Sequence, residues 1–117
     1  MKLHHDRLGQ LTSAIFHAAG CPTNEAERIA AHLVEANLVG HDSHGVIRVS
    51  SYVQWLRAGK VLADRTIQVV FENEVIGVVD GQFGFGQTVG EQAMQLGIEK
   101  SARHGVAVQQ VFAARTA

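Results

Sequence analysis

The first sixty residues repeat apolar positions at the three- and four-residue spacing of amphipathic helices. A first helix is predicted over residues 5 to 19, with one apolar stripe formed by Leu8, Leu11, Ile15 and Ala18. A second helix is predicted from about residue 24 to 39, capped by Thr23 or Asn24, with a buried face of Ala26, Ile29, Ala30, Leu33 and Val34. Gly20 and Gly40 follow the two helices, where glycine favours helix termination.

A third helix is predicted to begin at Asp42 or Ser43, either of which suits an N-cap, and to end before Gly59. Its expected core face consists of Val46, Val49, Val53 and Leu56. A second row, spaced four and four, consists of His44, Arg48 and Tyr52, about 200° around the helix from the first. The helix is therefore predicted to have an apolar side that anchors it and a polar side beginning at its N-terminus.

The pattern changes in the second half, where β-branched residues become frequent. Residues 66–71 and 75–79 are predicted to form a β-hairpin, followed by a loop from Asp80 to Gly86. Thr88 and Glu91 have the spacing of a capping box, and they predict a fourth helix to about Arg103. The residues of this helix expected to face mostly inward are Val89, Ala93, Met94 and Leu96. A third strand is predicted over residues 106–112.

This order of three helices, a hairpin, a helix and a strand predicts an α+β fold. The expected organisation is a helical segment over residues 1–60 and the start of a sheet-containing domain over residues 61–117. The net charge of −1 argues against nucleic acid or an anionic membrane as the partner, because both select basic surfaces. Cys21 is the single cysteine, so no internal disulfide can form, and a cytoplasmic location is expected.

The densest group of chemically capable residues is Gly40-His41-Asp42-Ser43-His44-Gly45-Val46-Ile47-Arg48. Arginine matches a carboxylate through two parallel hydrogen bonds, and histidine can give or take a proton near neutral pH. Arg48 and His44 therefore suit a small acid with a neighbouring carbonyl or hydroxyl, and Ser43 could bind this substrate or cap the helix. The alternative that His44 is a cap and Arg48 an ordinary surface residue stays open on these residues alone.

The neighbours of this pair are assigned mainly structural roles. Asn37 continues the buried stripe of the second helix and is expected to hydrogen-bond the turn beyond it. His41 is expected to be held by that turn, and Asp42 to act as a cap. Tyr52 is a candidate for the far wall of a pocket, although packing is the favoured interpretation.

Three other sequence patterns give weaker indications of function. Gly84-x-Gly86-x-x-x-Gly90 has the wrong spacing for a dinucleotide fingerprint and is expected to follow a loop, so a Rossmann fold is rejected. His41-Asp42 could belong to an HD-type metal phosphohydrolase, but the hairpin counts against that all-helical fold. The histidines at positions 4 and 5 are expected to be solvated, and Cys21 to be a small loop residue and not a nucleophile.

The run Gly40 to Arg48, followed by Tyr52, Leu56 and Gly59, resembles the type-2 malate/L-lactate dehydrogenase family. Ordered segments on both sides agree: Ala30-x-x-Leu33-Val34-x-Ala36-Asn37, then Asp80-Gly81-x-x-Gly84-Phe85-Gly86-Gln87, Ala93-Met94 and Gly105-Val106-Ala107-Val108. The resemblance covers about residues 8 to 108 and is strongest to the bacterial hydroxycarboxylate dehydrogenases. It implies a non-Rossmann fold and a cytoplasmic homodimer that transfers hydride between NAD or NADP and a 2-oxo or 2-hydroxy acid, without a metal.

The resemblance also implies that Ser43 and Arg48 bind substrate and that His44 is the candidate proton donor, although the family carries a second histidine further on. Family members are about three times this length, and residues 109–117 depart from the expected pattern. A truncation or frameshift after Val108 is the simplest expectation. The chain is then the N-terminal third of a dehydrogenase with an incomplete sheet, few cofactor contacts and no activity alone. The alternative is a non-enzymatic helical association module.

Overall fold

The computed structural model describes residues 2–115 and contains two compact units, the first ending at Asp64 and the second beginning at Arg65. The first unit is helical. Its elements are α1 (His5–Ala18), α2 (Thr23–Leu38), two single 3₁₀ turns (Asp42–His44 and Val46–Arg48) and α3 (Val49–Ala58). None of the helices in the described part of the chain is long and apolar enough to cross a membrane.

Helix α2 supplies the centre of the first unit's core. All five residues of its predicted apolar face are buried: Ala26, Ile29, Ala30, Leu33 and Val34. The predicted cap is wrong, because Thr23 is already the first helical residue and Pro22 occupies the N-cap position without a side-chain hydrogen bond. The fixed backbone angle of proline suits the start of a helix, so the helix begins earlier than the polar residues indicated.

Helix α1 turns a different face inward from the one predicted. Thr12 and Phe16 are buried, whereas Leu11 is 55% exposed and Ile15 is 37% exposed. The ring of Phe16 packs 6.1 Å from the ring of Tyr52, which is also fully buried. A large aromatic contact stabilises one orientation of the helix, and three of the four residues in the predicted apolar stripe are exposed, with Leu8 partly buried.

The third helix is shorter than predicted. Its α-helical part begins at Val49, because Gly45 is extended and separates the two 3₁₀ turns. Asp42 and Ser43 are therefore not N-caps of an α-helix, and His44 and Arg48 do not lie one α-helical turn apart. Tyr52, assigned to the polar row, is the buried residue of α3, and Gly59 ends the helix in the left-handed conformation as predicted.

A buried carboxylate binds the backbone at the end of the first unit. Glu25 is 2% exposed, and its Oε1 accepts a hydrogen bond from the backbone N–H of Asp64 at 2.7 Å. Burial, the charge of Glu25 and a hydrogen bond to it raise the pKa of the Cys21 thiol to about 12. This thiol is protonated at neutral pH, which agrees with the prediction that Cys21 is not a nucleophile.

The second unit is a three-stranded sheet with one helix. It contains β1 (Gln68–Glu72), β2 (Ile76–Phe85), α4 (Gly86–His104) and β3 (Val108–Arg115). The strand order is β1-β2-β3; β1 pairs with β2 antiparallel as the predicted hairpin, and β3 pairs with β2 in parallel through the α4 crossover. The predicted α+β class is confirmed.

The loop predicted after Asp80 is instead a continuation of β2. Pairing with β3 is interrupted between Asp80 and Gly84, and the positive φ angles fall on Gln82 and Phe83, not on the glycines. Gly81 is required by close approach, because a Cβ there would lie 2.9 Å from a backbone oxygen of β3. Helix α4 consequently follows β2 directly, so the expected loop before Gly86 is absent, although the glycine spacing still differs from the dinucleotide fingerprint.

Helix α4 also starts earlier than the capping box predicted. Phe85 is the N-cap, Thr88 is buried within the helix, and Met94 is 64% exposed and not inward. Gly105 ends the helix with φ of 81° as expected. Lys100 fastens α4 to the β1–β2 turn, because its Nζ lies 2.9 Å from a carboxylate oxygen of Glu72 and donates to the backbone oxygen of Asn73 at 2.6 Å.

Candidate active site

The corner between α2 and α3 is built around the side chain of Asn37. Its amide nitrogen donates to Asp42 Oδ1 at 2.8 Å, and its amide oxygen accepts from the backbone N–H of Val46 at 2.9 Å. The predicted hydrogen bonding of Asn37 to the following turn is confirmed. One side chain thus spans both 3₁₀ turns and fixes the backbone that presents Ser43 and His44.

Gly45 lets the chain pass against this amide. A Cβ at position 45 would lie 2.3 Å from Asn37 Oδ1 and 2.5 Å from the adjacent amide atoms. A Cβ at that distance would displace the Asn37 amide from its two hydrogen bonds, so glycine suits this position through close approach and not through a positive φ. Asn37 and Gly45 therefore act together to shape the corner.

Ser43 links the two groups predicted to carry the chemistry. Its Oγ lies 3.0 Å from Nδ1 of His44, and its carbonyl oxygen accepts a hydrogen bond from Nε of Arg48 at 2.7 Å. Ser43 and His44 are exposed, and Arg48 is partly buried. The structure brings together Ser43, His44 and Arg48, although the contact runs through Ser43 and not along a helix face.

The two terminal nitrogens of Arg48 are available to bind a ligand. Its Nε is occupied by the Ser43 carbonyl, and among residues 2–115 no carboxylate lies within ion-pair distance of its guanidinium. The two terminal nitrogens can therefore bind a carboxylate from outside through paired hydrogen bonds. The Nε contact holds the guanidinium in one place, which reduces the entropy lost on binding.

The hydrogen bond to Ser43 leaves Nε2 of His44 as the ring nitrogen that can face a substrate. If the serine hydroxyl donates to Nδ1, Nε2 carries the proton and can give it away. If Nδ1 donates to the hydroxyl, Nε2 is unprotonated and can accept a proton. Because a hydroxyl can play either part, this arrangement serves proton transfer in both directions.

A second imidazole lies beside the first. The rings of His41 and His44 are 4.1 Å apart and tilted by 47°. Side chains three residues apart eclipse in a 3₁₀ turn; His41 is the N-cap of the turn Asp42–His44, and His44 is its last residue. Sequence reasoning gave His41 a mainly structural role and missed this pairing, because the spacing from His44 indicates a ring contact only if the turn is known to be 3₁₀.

Tyr52 belongs to the core of the first unit. It is 1% exposed, and its ring stacks 5.4 Å from that of Trp55 on the same helix and contacts Phe16 on α1. This burial supports the interpretation favoured from the sequence, in which Tyr52 packs the core, over its alternative role as a pocket wall.

The corner does not gather metal ligands. In the described part of the chain, His41, Asp42 and His44 are not among the groups of three histidine, cysteine or carboxylate side chains whose ligand atoms converge. The corner offers one guanidinium and two imidazoles, and this set suits a small anionic substrate.

Comparison with known proteins decides the family. The family profile described as malate/L-lactate dehydrogenase matches residues 3–115. The chain belongs to the malate/L-lactate dehydrogenase family. The resemblance stated from the sequence is confirmed, and the match includes residues 109–115, which were expected to depart from the family pattern.

Curated relatives in this family include hydroxycarboxylate dehydrogenase B of Escherichia coli (strain K12). It is 39% identical over 100 residues, which cover 86% of this chain and 28% of the relative. Malate dehydrogenase of Pyrococcus abyssi is 32% identical over 108 residues, covering 92% of this chain and 30% of the relative. The chain thus spans less than a third of the length of these two proteins.

Solved structures show the same fold. The chain matches malate dehydrogenase from Pyrococcus horikoshii OT3 with a TM-score of 0.94 and 31% identity, covering 98% of this chain and 33% of that one. Sulfolactate dehydrogenase from Methanocaldococcus jannaschii gives a TM-score of 0.89 and 33% identity, covering 95% and 32%. The non-Rossmann malate/L-lactate dehydrogenase fold predicted for the chain is therefore confirmed.

Proposed function

We propose that this chain supplies the substrate-carboxylate site of a dehydrogenase acting on small 2-oxo and 2-hydroxy acids. The observation that carries the proposal is the joint contact of His44 and Arg48 with Ser43, one through its hydroxyl and the other through its carbonyl. Arg48 binds the acid group of the substrate with its two terminal nitrogens. Ser43 and His44 then face the adjacent oxygen.

The proton step follows from this placement. In reduction, the carbonyl carbon of the 2-oxo acid gains a hydride and its oxygen gains a proton, giving the 2-hydroxy acid. Nε2 of His44 gives that proton, and in the reverse direction it removes the proton from the hydroxyl. Ser43 orients the imidazole. The family resemblance assigns the hydride to NADH or NADPH and the assembly to a cytoplasmic homodimer; the corner itself has no set of groups for the dinucleotide.

The chain is proposed to bind the acid without turning it over. Its relatives are about three times as long, and the cofactor contacts belong with the remainder of such a chain. The first experiment is therefore a binding titration of the purified 117-residue chain with pyruvate, oxaloacetate and L-malate, followed by backbone amide NMR. Shifts are expected to concentrate at residues 43–48.

Arg48→Met is expected to abolish those shifts, and Arg57→Met is the matched control because Arg57 is an exposed arginine on the following helix. Ser43→Ala should retain binding, since the carbonyl that holds Arg48 remains. Titrations without localised shifts, or equal shifts in the Arg48 variant, would refute the carboxylate site. A parallel assay of NADH and NADPH oxidation should show no turnover above the buffer rate; robust reduction would show that the chain is active alone.

A second candidate function is favoured by exposed apolar residues in the sheet. All five residues of β1 are exposed, including Phe71 at 55%, and Phe112 on β3 is 45% exposed. Strands with unpaired edges and apolar surface promote association. Under this alternative the chain forms a stable dimer with no affinity for the acids. Sedimentation equilibrium of the chain and of a Phe71→Ser/Phe112→Lys variant distinguishes the two functions when combined with the NMR titration.

A further inference from the structure

A cluster of three metal-ligand side chains lies at the start of α1, on residues that the proposed acid site does not use. One ligand atom from each of His4, His5 and Asp6 can be chosen so that all lie within 4.8 Å of one another. All three side chains are exposed, at 63%, 49% and 71%. We propose that these residues form a binding site for a divalent first-row transition-metal ion, with zinc as the reference ion.

The spacing of the ligand atoms fits such an ion. Nδ1 of His5 lies 3.1 Å from one oxygen of Asp6, and Nδ1 of His4 lies 3.7 Å from the other. Ligand atoms about 2.0–2.1 Å from a tetrahedral zinc ion are about 3.4 Å from each other. Both histidine–carboxylate distances lie close to that value, and the chosen ligand atoms of all three residues lie within 4.8 Å of one another. Binding one ion therefore requires rotation of these exposed side chains to bring one ligand atom of each residue together.

The chemistry of the set also selects this class of ion. Two imidazoles and one carboxylate suit zinc, nickel and copper, whereas calcium and magnesium prefer oxygen ligands alone. The rings of His4 and His5 are already stacked, with centroids 4.4 Å apart, so the two imidazoles are held side by side before an ion arrives. Such preorganisation reduces the entropy lost on binding.

A second element borders the site. His5 and Asp6 line a cleft between α1 and α2, and Glu35 of α2 lines the same cleft. Its carboxylate adds negative charge to the cleft that borders the cluster. Nδ1 of His4 accepts a hydrogen bond from the backbone N–H of Asp6 at 3.2 Å. Coordination through this nitrogen would replace that bond, and the ion would join the first residues of α1 to one another.

The test is calorimetric titration of the 117-residue chain, purified without a polyhistidine tag, with zinc chloride in a non-chelating buffer. One saturable site with micromolar affinity is expected. His5→Gln and Asp6→Asn should each weaken binding at least tenfold, and Glu35→Gln should weaken it two- to threefold. Circular dichroism of each variant checks that the fold is retained.

His104→Gln is the matched control, because His104 is an exposed histidine of the second unit, and it should bind zinc as the unmodified chain does. A His41→Gln/His44→Gln variant separates the cluster from the other histidine pair. No saturable binding, unchanged affinity in the His5 and Asp6 variants, or binding lost only in the His41/His44 variant would each overturn the proposal.

Discussion

The contact between Asn37 and Gly45 allows a quantitative test of how the corner between α2 and α3 is held. Asn37→Ala removes the acceptor at 2.9 Å from the Val46 N–H and the donor at 2.8 Å from the Asp42 carboxylate. The Val46 N–H is partly buried, so the expected loss of unfolding free energy is about 1–3 kcal/mol. Gly45→Ala puts a Cβ 2.3 Å from Asn37 Oδ1, and overpacking of this kind costs about 1–3 kcal/mol.

The two substitutions should not be additive. Asn37→Ala removes the atoms with which the new Cβ collides. Gly45→Ala should therefore lower the free energy of unfolding by at least about 1 kcal/mol less in the Asn37→Ala background than in the unmodified chain. Independent sites are additive to within roughly 0.5 kcal/mol, so this difference would show coupling. Urea denaturation followed by circular dichroism measures the four free energies of the cycle.

Gly9→Ala is the control for the general effect of replacing glycine. Gly9 lies inside α1, and a Cβ there would meet no atom within 4 Å, so this variant should be about 0.5–1 kcal/mol more stable than the unmodified chain. If Gly45→Ala costs the same with and without the Asn37 side chain, close approach to the Asn37 amide is not the reason for glycine at position 45.

Three further predictions concern buried polar groups. Folding raises the pKa of the Cys21 thiol from 9.0 to about 12. The free energy of unfolding that depends on this thiol is therefore full below pH 9 and decreases as the pH rises towards 12. Ionisation of this thiol stabilises the unfolded chain by about 1.4 kcal/mol at pH 10. The Cys21→Ala variant should therefore lose less stability between pH 7 and 10 than the unmodified chain. Equal losses in thermal melts would contradict the raised pKa of Cys21. Lys100→Met should destabilise the chain by about 1–2 kcal/mol, and Glu72→Gln by less, because the lysine would keep its bond to the turn carbonyl. The amide atoms of Gln109 are buried without a hydrogen-bond partner among the described residues, so Gln109→Met should raise the urea midpoint, and a lowered midpoint would show that the amide is satisfied in solution.

Local sequence patterns predicted the features of the fold that depend on residues close together in the chain. The five apolar positions of α2 predicted its buried face, and all are buried. Gly59 and Gly105 end helices with φ of 73° and 81°, as expected because glycine adopts the left-handed conformation without steric cost. The hairpin followed from two runs of β-branched residues separated by a short polar turn. The group of Ser43, His44 and Arg48 was found from residue chemistry together with the ordered family segments around it.

Contacts between distant residues decided what local patterns could not. The packing of Phe16 on Tyr52 turned α1 so that Leu11 lies on the surface, although its periodicity alone favoured burial. Strand β2 continues beyond the segment predicted as a loop because its pairing with β3, interrupted after Asp80, resumes at Gly84 and Phe85. A parallel partner there can satisfy backbone groups that glycine-rich sequence leaves open.

Contacts between residues distant in the sequence also explain the conformation of the corner between α2 and α3. Periodicity predicted one helix from Asp42 onward, but the Asn37 side chain supplies hydrogen bonds that an α-helix would otherwise make, and Gly45 admits it. The sequence alone predicted which residues could bind a small acid and give a proton to its neighbouring oxygen. Only the tertiary structure decided that Ser43 would join His44 to Arg48, because that contact depends on a side chain nine residues before Val46 and on the two turns it holds.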